Sequence, residues 1–249
     1  MIAQLVLNSR KVTVDLSKPL DISMPMISSE KNVNAWYVDP PKIEPVVFDG
    51  WTAAVKKGAS INFNNIEFNP HAHGTHTETA GHITEKVHSI NKNLTRFIFL
   101  AELVTVAPEK VGEDMIISKK QLSFALGNKK RDAIVIRTLP NTREKLSRQY
   151  SHSNPPYMEK EAAVYLRRKG IKHLLIDLPS VDREKDEGEL AAHHAFWDVH
   201  GKLRLDATIT EFIYVSNKIE DGAYLLNIQI APFENDASPS KPVLYKIMF

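Results

Sequence analysis

Apolar and polar positions along the 249-residue chain alternate in some stretches and cluster in others, and the two patterns together lay out an α/β protein. Residues 2–7 and 11–16 are short apolar or alternating runs parted by Asn8, Ser9 and Arg10, which predicts a small hairpin. Residues 20–45 carry Pro25, Pro40, Pro41 and Pro45 among polar neighbours and predict an extended loop with turns. Residues 60–68 alternate through Ile61, Phe63, Ile66 and Phe68, a strand that runs into residues 69–83 and delivers them to a site. Mostly apolar runs at 97–106 and 132–139 predict buried strands, with a short helix at 119–126 between them.

The polar stretch 142–157 ends in Asn154-Pro155-Pro156-Tyr157 and predicts a loop or lid, followed by a helix at 159–169 capped by Gly170. A strand at 173–178 comes next, and this order of helix, glycine and apolar strand is how α/β layers pack. Residues 182–189 form a charged, solvated loop and 190–199 a helix. Residues 207–215 alternate, with Thr208, Thr210, Phe212 and Tyr214 on one face and Ile209, Glu211, Ile213 and Val215 on the other. Strands near 224–231 and 243–249, joined through a loop at 234–239, close the chain. With no repeat, low-complexity segment or linker, residues 1–249 are expected to be one domain.

Composition narrows the function. A hydrophobic fraction of 43% suits a globular protein, and a net charge of +2 with both signs interspersed advertises no basic face for nucleic acid. The absence of cysteine removes disulfides, thiolate nucleophiles and sulfur-ligated metals, so any ion must be held by nitrogen and oxygen. The N-terminus lacks the features of a secretory signal and no apolar run approaches the roughly 18 residues of a membrane span, so the expectation is a soluble cytoplasmic protein that does not engage membranes.

Candidate chemistry concentrates at 69–83, NPHAHGTHTETAGHI, which holds His71, His73, His76 and His82 around Glu78. Neutral imidazole is the commonest protein ligand for divalent transition metals, and a carboxylate among histidines supplies the opposing charge. In an extended chain positions i and i+2 share a face, so His76 and Glu78 can reach one ion. Glu211 shares a strand face with apolar residues, where a carboxylate is costly unless paired or metal-bound, and it is a second candidate. The zinc-protease spacing His-Glu-x-x-His is absent, as is the Gly-x-Ser-x-Gly elbow of serine hydrolases.

The run from Gly74 to His82 resembles the His-x-Gly-Thr-His-x-Asp-x-Pro-x-His signature of the cyclase family, which includes bacterial kynurenine formamidase and isatin hydrolase. Asp15-Leu16-Ser17-Lys18-Pro19-Leu20, the Asp177, Ser180 and Asp182 segment, and Asp236-Ala237-Ser238-Pro239 resemble further family segments. The sequence departs from the signature in carrying Glu78 for aspartate, Ala80 for proline and Ala72 where the first ligand histidine falls. His71 or His73 must then take that ligand role, with His71 preferred because Pro70-His71 resembles the opening of the motif.

The resemblance implies the family's swivelling β/β/α fold, a mixed sheet with flanking helices. It further implies one or two zinc or manganese ions held by His71, His76, Glu78, His193 and Glu211, with His194 an alternative to its neighbour. The activity implied is hydrolysis of a small formamide or cyclic amide, in which the ion acidifies a bound water and His82 shuttles the proton. Trp36, Tyr37 and Phe63, with Tyr150 and Tyr157, are candidates to line a pocket for an aromatic small molecule. A homo-oligomer, dimer or tetramer, is expected from the same resemblance. A metal-dependent lyase or dehydratase, and a binding protein that keeps the fold without turnover, are the alternative readings.

Overall fold

The computed structural model describes residues 1–7 and 10–248. The expected hairpin is present as Ile2–Leu7 paired antiparallel with Arg10–Asp15, while Asn8 and Ser9, between the two runs, and Phe249, in the run expected to close the chain, lie outside the described residues.

The organising element is a mixed sheet that closes on itself. Ile98–Val106, Ala133–Thr138, His173–Ile176 and Thr208–Glu211 run parallel as neighbours, and Gly222–Ile230 joins the other edge antiparallel. Ala237–Met248 is twelve residues long, and its length closes the ring. Its later residues pair with Gly222–Ile230, whereas Ala237, Ser238 and Pro239 pair with Glu78, Thr77 and His76. The His76–Glu78 strand in turn pairs with Thr208–Glu211, completing a seven-strand barrel. The sequence places residues 234–239 in a loop, but the first residues of the last strand are drawn from that segment because the His76–Glu78 edge needs a partner.

Alternation along the parallel strands separates two cores. Ala133, Val135 and Leu175 turn into the ring with Leu103, Leu226 and Leu244. Ile134, Ile136, Leu174 and Ile176 face outward and pack under Lys119–Leu126, Lys160–Arg168 and Ala191–Trp197 through Leu122, Leu166 and Phe196. Ser118 and Gln121 form a reciprocal capping box at the start of the first of these helices, and Gly170, at φ 84°, follows the last turn of the second in the left-handed conformation that ends it.

Two expectations fail for local reasons, and a third element is shorter than expected. The strand expected at 60–68 is only Asn64–Glu67, paired solely with Lys42–Pro45, and Ile61, Phe63 and Ile66 are exposed; a turn at 70–73 separates it from the histidines, so it delivers no ligand. The alternation expected through residue 215 stops at Glu211, because Phe212 adopts φ 54° and re-aims Ile213 and Val215 into the ring core. The helix expected at 190–199 is Ala191–Trp197, bracketed by Leu190 and Asp198 in the left-handed region.

Candidate functional site

Glu78 is fully buried on the outward face of the barrel, and every other group of the site is arranged about its carboxylate. Strand alternation sends His76 and Glu78 outward together and turns Thr77 inward, where its hydroxyl meets that of Thr210 at 2.8 Å. The Glu211↔His76 register sets Glu211 across from His76, with 3.4 Å between Glu211 Oε2 and His76 Nε2. His71 comes from the preceding turn and approaches from the side, its Nδ1 3.0 Å from Glu78 Oε2. His193 descends from the Ala191–Trp197 helix, placing Nε2 3.2 Å from Glu78 Oε1 and 3.8 Å from Glu211 Oε1.

His82 ends the short turn Ala80–His82 and points Nε2 at Glu78 Oε2 from 3.9 Å. That turn requires Gly81, since a Cβ there would lie 2.5 Å from the backbone nitrogen of His88. The sequence thus brings His71, His76, Glu78, His82, His193 and Glu211 into one cluster from five separate elements.

The histidines are held from behind. His76 Nδ1 donates to the carbonyl of Gly74 at 3.0 Å, His193 Nδ1 to Asp182 at 2.6 Å and His71 Nε2 to Asp236 at 2.9 Å. Glu211 accepts from the backbone N–H of Val181 at 2.9 Å. After these bonds, three buried atoms that face one another have no hydrogen-bond partner: His71 Nδ1, His76 Nε2 and Glu78 Oε2. His71 and Glu78 are close but out of line for a hydrogen bond. Buried polar atoms are almost always satisfied, so three orphans converging on one point form a group that could hold a cation. Their lone pairs also satisfy the mutual distances that a single ion needs, as do those of the sets Glu78, His82, His193 and His71, His82, Asp236.

Electrostatics agree with that chemistry. Burial works against the charged form of Glu78, yet His82, His193 and His71 hold its carboxyl well below the usual range. Burial likewise opposes charge on His71 and His193, but the carboxylates around them prevail: His71, between Asp236 and Glu78, is pushed up to about 10, and His193, between Asp182 and Glu78, is well above its ordinary value. At neutral pH His71 and His193 therefore keep their protons.

Other sequence candidates fall elsewhere. His73 is turned away, with Nδ1 accepting from the N–H of Asn69 and Nε2 bonded to the carbonyl of Asp39. His194 projects from a different face of its helix and stacks on His200 at 4.9 Å, so neither alternative stands among the cluster. Trp36 borders the site, its indole N–H donating to the carbonyl of His71. Tyr37 is exposed and bonded to Glu184, Phe63 is exposed, Tyr150 is buried edge-on against Phe212, and Tyr157 is bonded to Asp114. Asp182 supports His193, Ser180 Oγ accepts from the N–H of Asp182, and Asp177 belongs to a separate network with Lys145. Asp236 is the member that sequence reasoning left out of the site. Its Asp-Ala-Ser-Pro segment was a visible signal, but only the strand pairing at Ala237 shows that it abuts His71.

Comparison with known proteins places this geometry. The Cyclase family model matches residues 14–183. A kynurenine formamidase of Bacillus cytotoxicus is 26% identical over 239 residues, spanning 92% of this chain and 97% of the relative. Isatin hydrolase A of Labrenzia aggregata, solved with benzyl benzoate, superposes with a TM-score of 0.65 at 12% identity, covering 92% of this chain and 93% of that one. A structure described as a potential metal-dependent hydrolase with cyclase activity gives a TM-score of 0.65 at 17% identity, over 92% and 97% of the two chains. The barrel, the outer helices and the matched span agree: this chain belongs to the cyclase family.

Proposed function

We propose that the protein is a metal-dependent hydrolase of a small amide, a formamide or cyclic amide on an aromatic scaffold. The observation that carries the reading is the convergence of His71 Nδ1, His76 Nε2 and Glu78 Oε2 as buried, unpartnered atoms. Relatives named as kynurenine formamidase and isatin hydrolase supply the substrate class.

His71, His76 and Glu78 would hold one divalent ion, zinc or manganese, with His193 and Glu211 completing its shell or holding a second ion. When bound, such an ion supplies Lewis acidity toward water and toward a carbonyl oxygen. The protein supplies the rest. His82 is the most open histidine of the cluster, with a side chain 32% exposed, and its Nε2 faces the same carboxylate as the ligands. There it accepts the proton of the attacking water and returns it to the leaving nitrogen as the C–O bond forms and the C–N bond breaks. Trp36, tied to His71, offers an indole wall for an aromatic substrate.

The test pairs elemental analysis with turnover of an N-formyl arylamine and of isatin. Stoichiometric divalent metal and release of formate, or opening of the lactam ring, are expected. A protein that binds no divalent metal and turns over neither compound contradicts the proposal. Ring opening or formate release with incorporation of oxygen from labelled water separates hydrolysis from elimination.

A further inference from the structure

Each histidine that faces Glu78 is braced at its far nitrogen, but the braces differ. His76 rests on a backbone carbonyl at 3.0 Å, and His193 has Asp182 to itself at 2.6 Å. Asp236 alone serves two rings: its Oδ2 lies 2.9 Å from His71 Nε2 and 3.4 Å from His82 Nδ1. Those two rings stack, with centroids 4.2 Å apart and planes 25° from parallel, so a shift of one carries the other.

The carboxylate is placed by backbone contacts and not by chance proximity. Thr79 N–H donates to the carbonyl of Asp236 at 3.0 Å and Ile90 N–H to that of Asn235 at 2.7 Å, which ties this loop to the turn that carries His82.

We infer that Asp236 is a positioning residue shared by His71 and His82, fixing both ring tautomers at once. The inference rests on the proposed hydrolase reading for the roles of the two rings. A neutral imidazole has one N–H, and a carboxylate on one nitrogen draws it there and leaves the lone pair on the other. For His71 that lone pair is on Nδ1, which faces Glu78 and the ion position. For His82 it is on Nε2, the atom that must accept a proton. At 3.4 Å the His82 contact is a close approach and not a formed hydrogen bond, and catalytic hydrogen bonds often tighten only in the substrate complex. Metal retention and proton transfer are thereby linked through one oxygen atom.

The experiment uses zinc-loaded protein and two readouts other than turnover: zinc affinity by competition with a colorimetric chelator, and the ring ¹⁵N resonances of His82 by NMR. In the wild type His82 is expected to carry its proton on Nδ1. Asp236→Ala is expected to weaken zinc binding about 10–100-fold and to remove the Nδ1–H preference of His82. Asp182→Ala, which unbraces His193 alone, is expected to weaken zinc binding similarly and leave the His82 signal unchanged.

An Nε2–H tautomer of His82 in the wild type overturns the inference, and this measurement stands even if a variant does not fold. Weakened zinc binding in Asp236→Ala with an unaltered His82 signal also overturns it, leaving Asp236 as a brace of His71 only. A wild type that takes up neither zinc nor manganese sinks the hydrolase reading instead. The His82 tautomer of the zinc-free protein still decides the shared brace: Nδ1–H supports it and Nε2–H refutes it.

Discussion

Among the described residues two carboxylates, Glu78 and Asp177, are completely buried, and they are buried differently. Asp177, just past the end of the His173–Ile176 strand, accepts from the backbone N–H and hydroxyl of Thr138 and from Lys145 Nζ, and Lys145 also donates to the Thr138 carbonyl. Burial pushes the Asp177 carboxyl up and the Lys145 ammonium down, against their mutual attraction. That network is closed. Glu78 sits among four imidazoles yet keeps Oε2 without a hydrogen bond. A closed buried charge is a structural device, and an open one among histidines is a candidate binding site.

The largest effect should come from breaking the closed network. Asp177→Ala leaves a buried ammonium unpaired and is expected to cost about 3–5 kcal/mol in urea unfolding. A cost below about 1 kcal/mol would show that Lys145 finds water, and that Asp177 is not structural in this sense. The open site should respond differently. Glu78→Gln is expected to lower divalent-metal affinity by at least about 100-fold, roughly 3 kcal/mol, and to lower the melting temperature in chelator by less than Asp177→Ala does, because without metal Glu78 offsets the charge on His71 and His193. An unaltered metal affinity would place Glu78 with Asp177.

How legible was this contrast in the sequence? Metal-ligand residue types at i and i+2 gave His76 and Glu78, and an apolar strand face exposed Glu211 as out of place. Those signals are local, and so are the boundaries of helices with clear caps, such as Ser118–Gln121. The choice between His71 and His73 was not local, since it depends on a turn that buries His73 against Asp39. Likewise Asp177 and Asp182 look alike in sequence, five residues apart. Only the position of Lys145, more than thirty residues upstream, and of His193 on the next helix separates a structural acid from a brace. Barrel closure was invisible for the same reason: it depends on which strand edge Ala237–Pro239 finds.

Two buried histidines extend the comparison to pH. His173 is packed on Phe99 with Nδ1 bonded to Thr208, and burial, with Lys172 nearby, pushes it down to about 3. Below about pH 6.5 the unfolded chain takes up a proton that this folded ring refuses, so stability falls as pH drops toward 3. From pH 7 to 5 the loss is about 2 kcal/mol; His173→Asn should remove it from the difference between urea unfolding at the two pH values. In metal-free protein His71 has the reverse sign, since its pKa rises from 6.5 to about 10. Its contribution is fully present below pH 6.5 and is lost as pH rises through about 10. Metal uptake at pH 7 must then expel protons from His71 and His193, about two per ion, which calorimetry in buffers of different ionisation enthalpy measures. No proton release would mean that the ion binds elsewhere.

The smallest effect concerns the rim. Trp36→Phe keeps the aromatic wall and deletes one N–H donor to His71, and should cost about 0.5–1.5 kcal/mol of stability with little change in metal affinity. A large loss of metal would make Trp36 part of the brace system around the site.

The central claim is that the open carboxylate marks a metal vertex. Anomalous diffraction from crystals soaked in zinc or manganese tests it most directly. The expected result is a peak about 2.0–2.2 Å from His71 Nδ1, His76 Nε2 and Glu78 Oε2, with none at Asp177. A protein that shows no peak at Glu78, or binds the ion only at other carboxylates, contradicts the account.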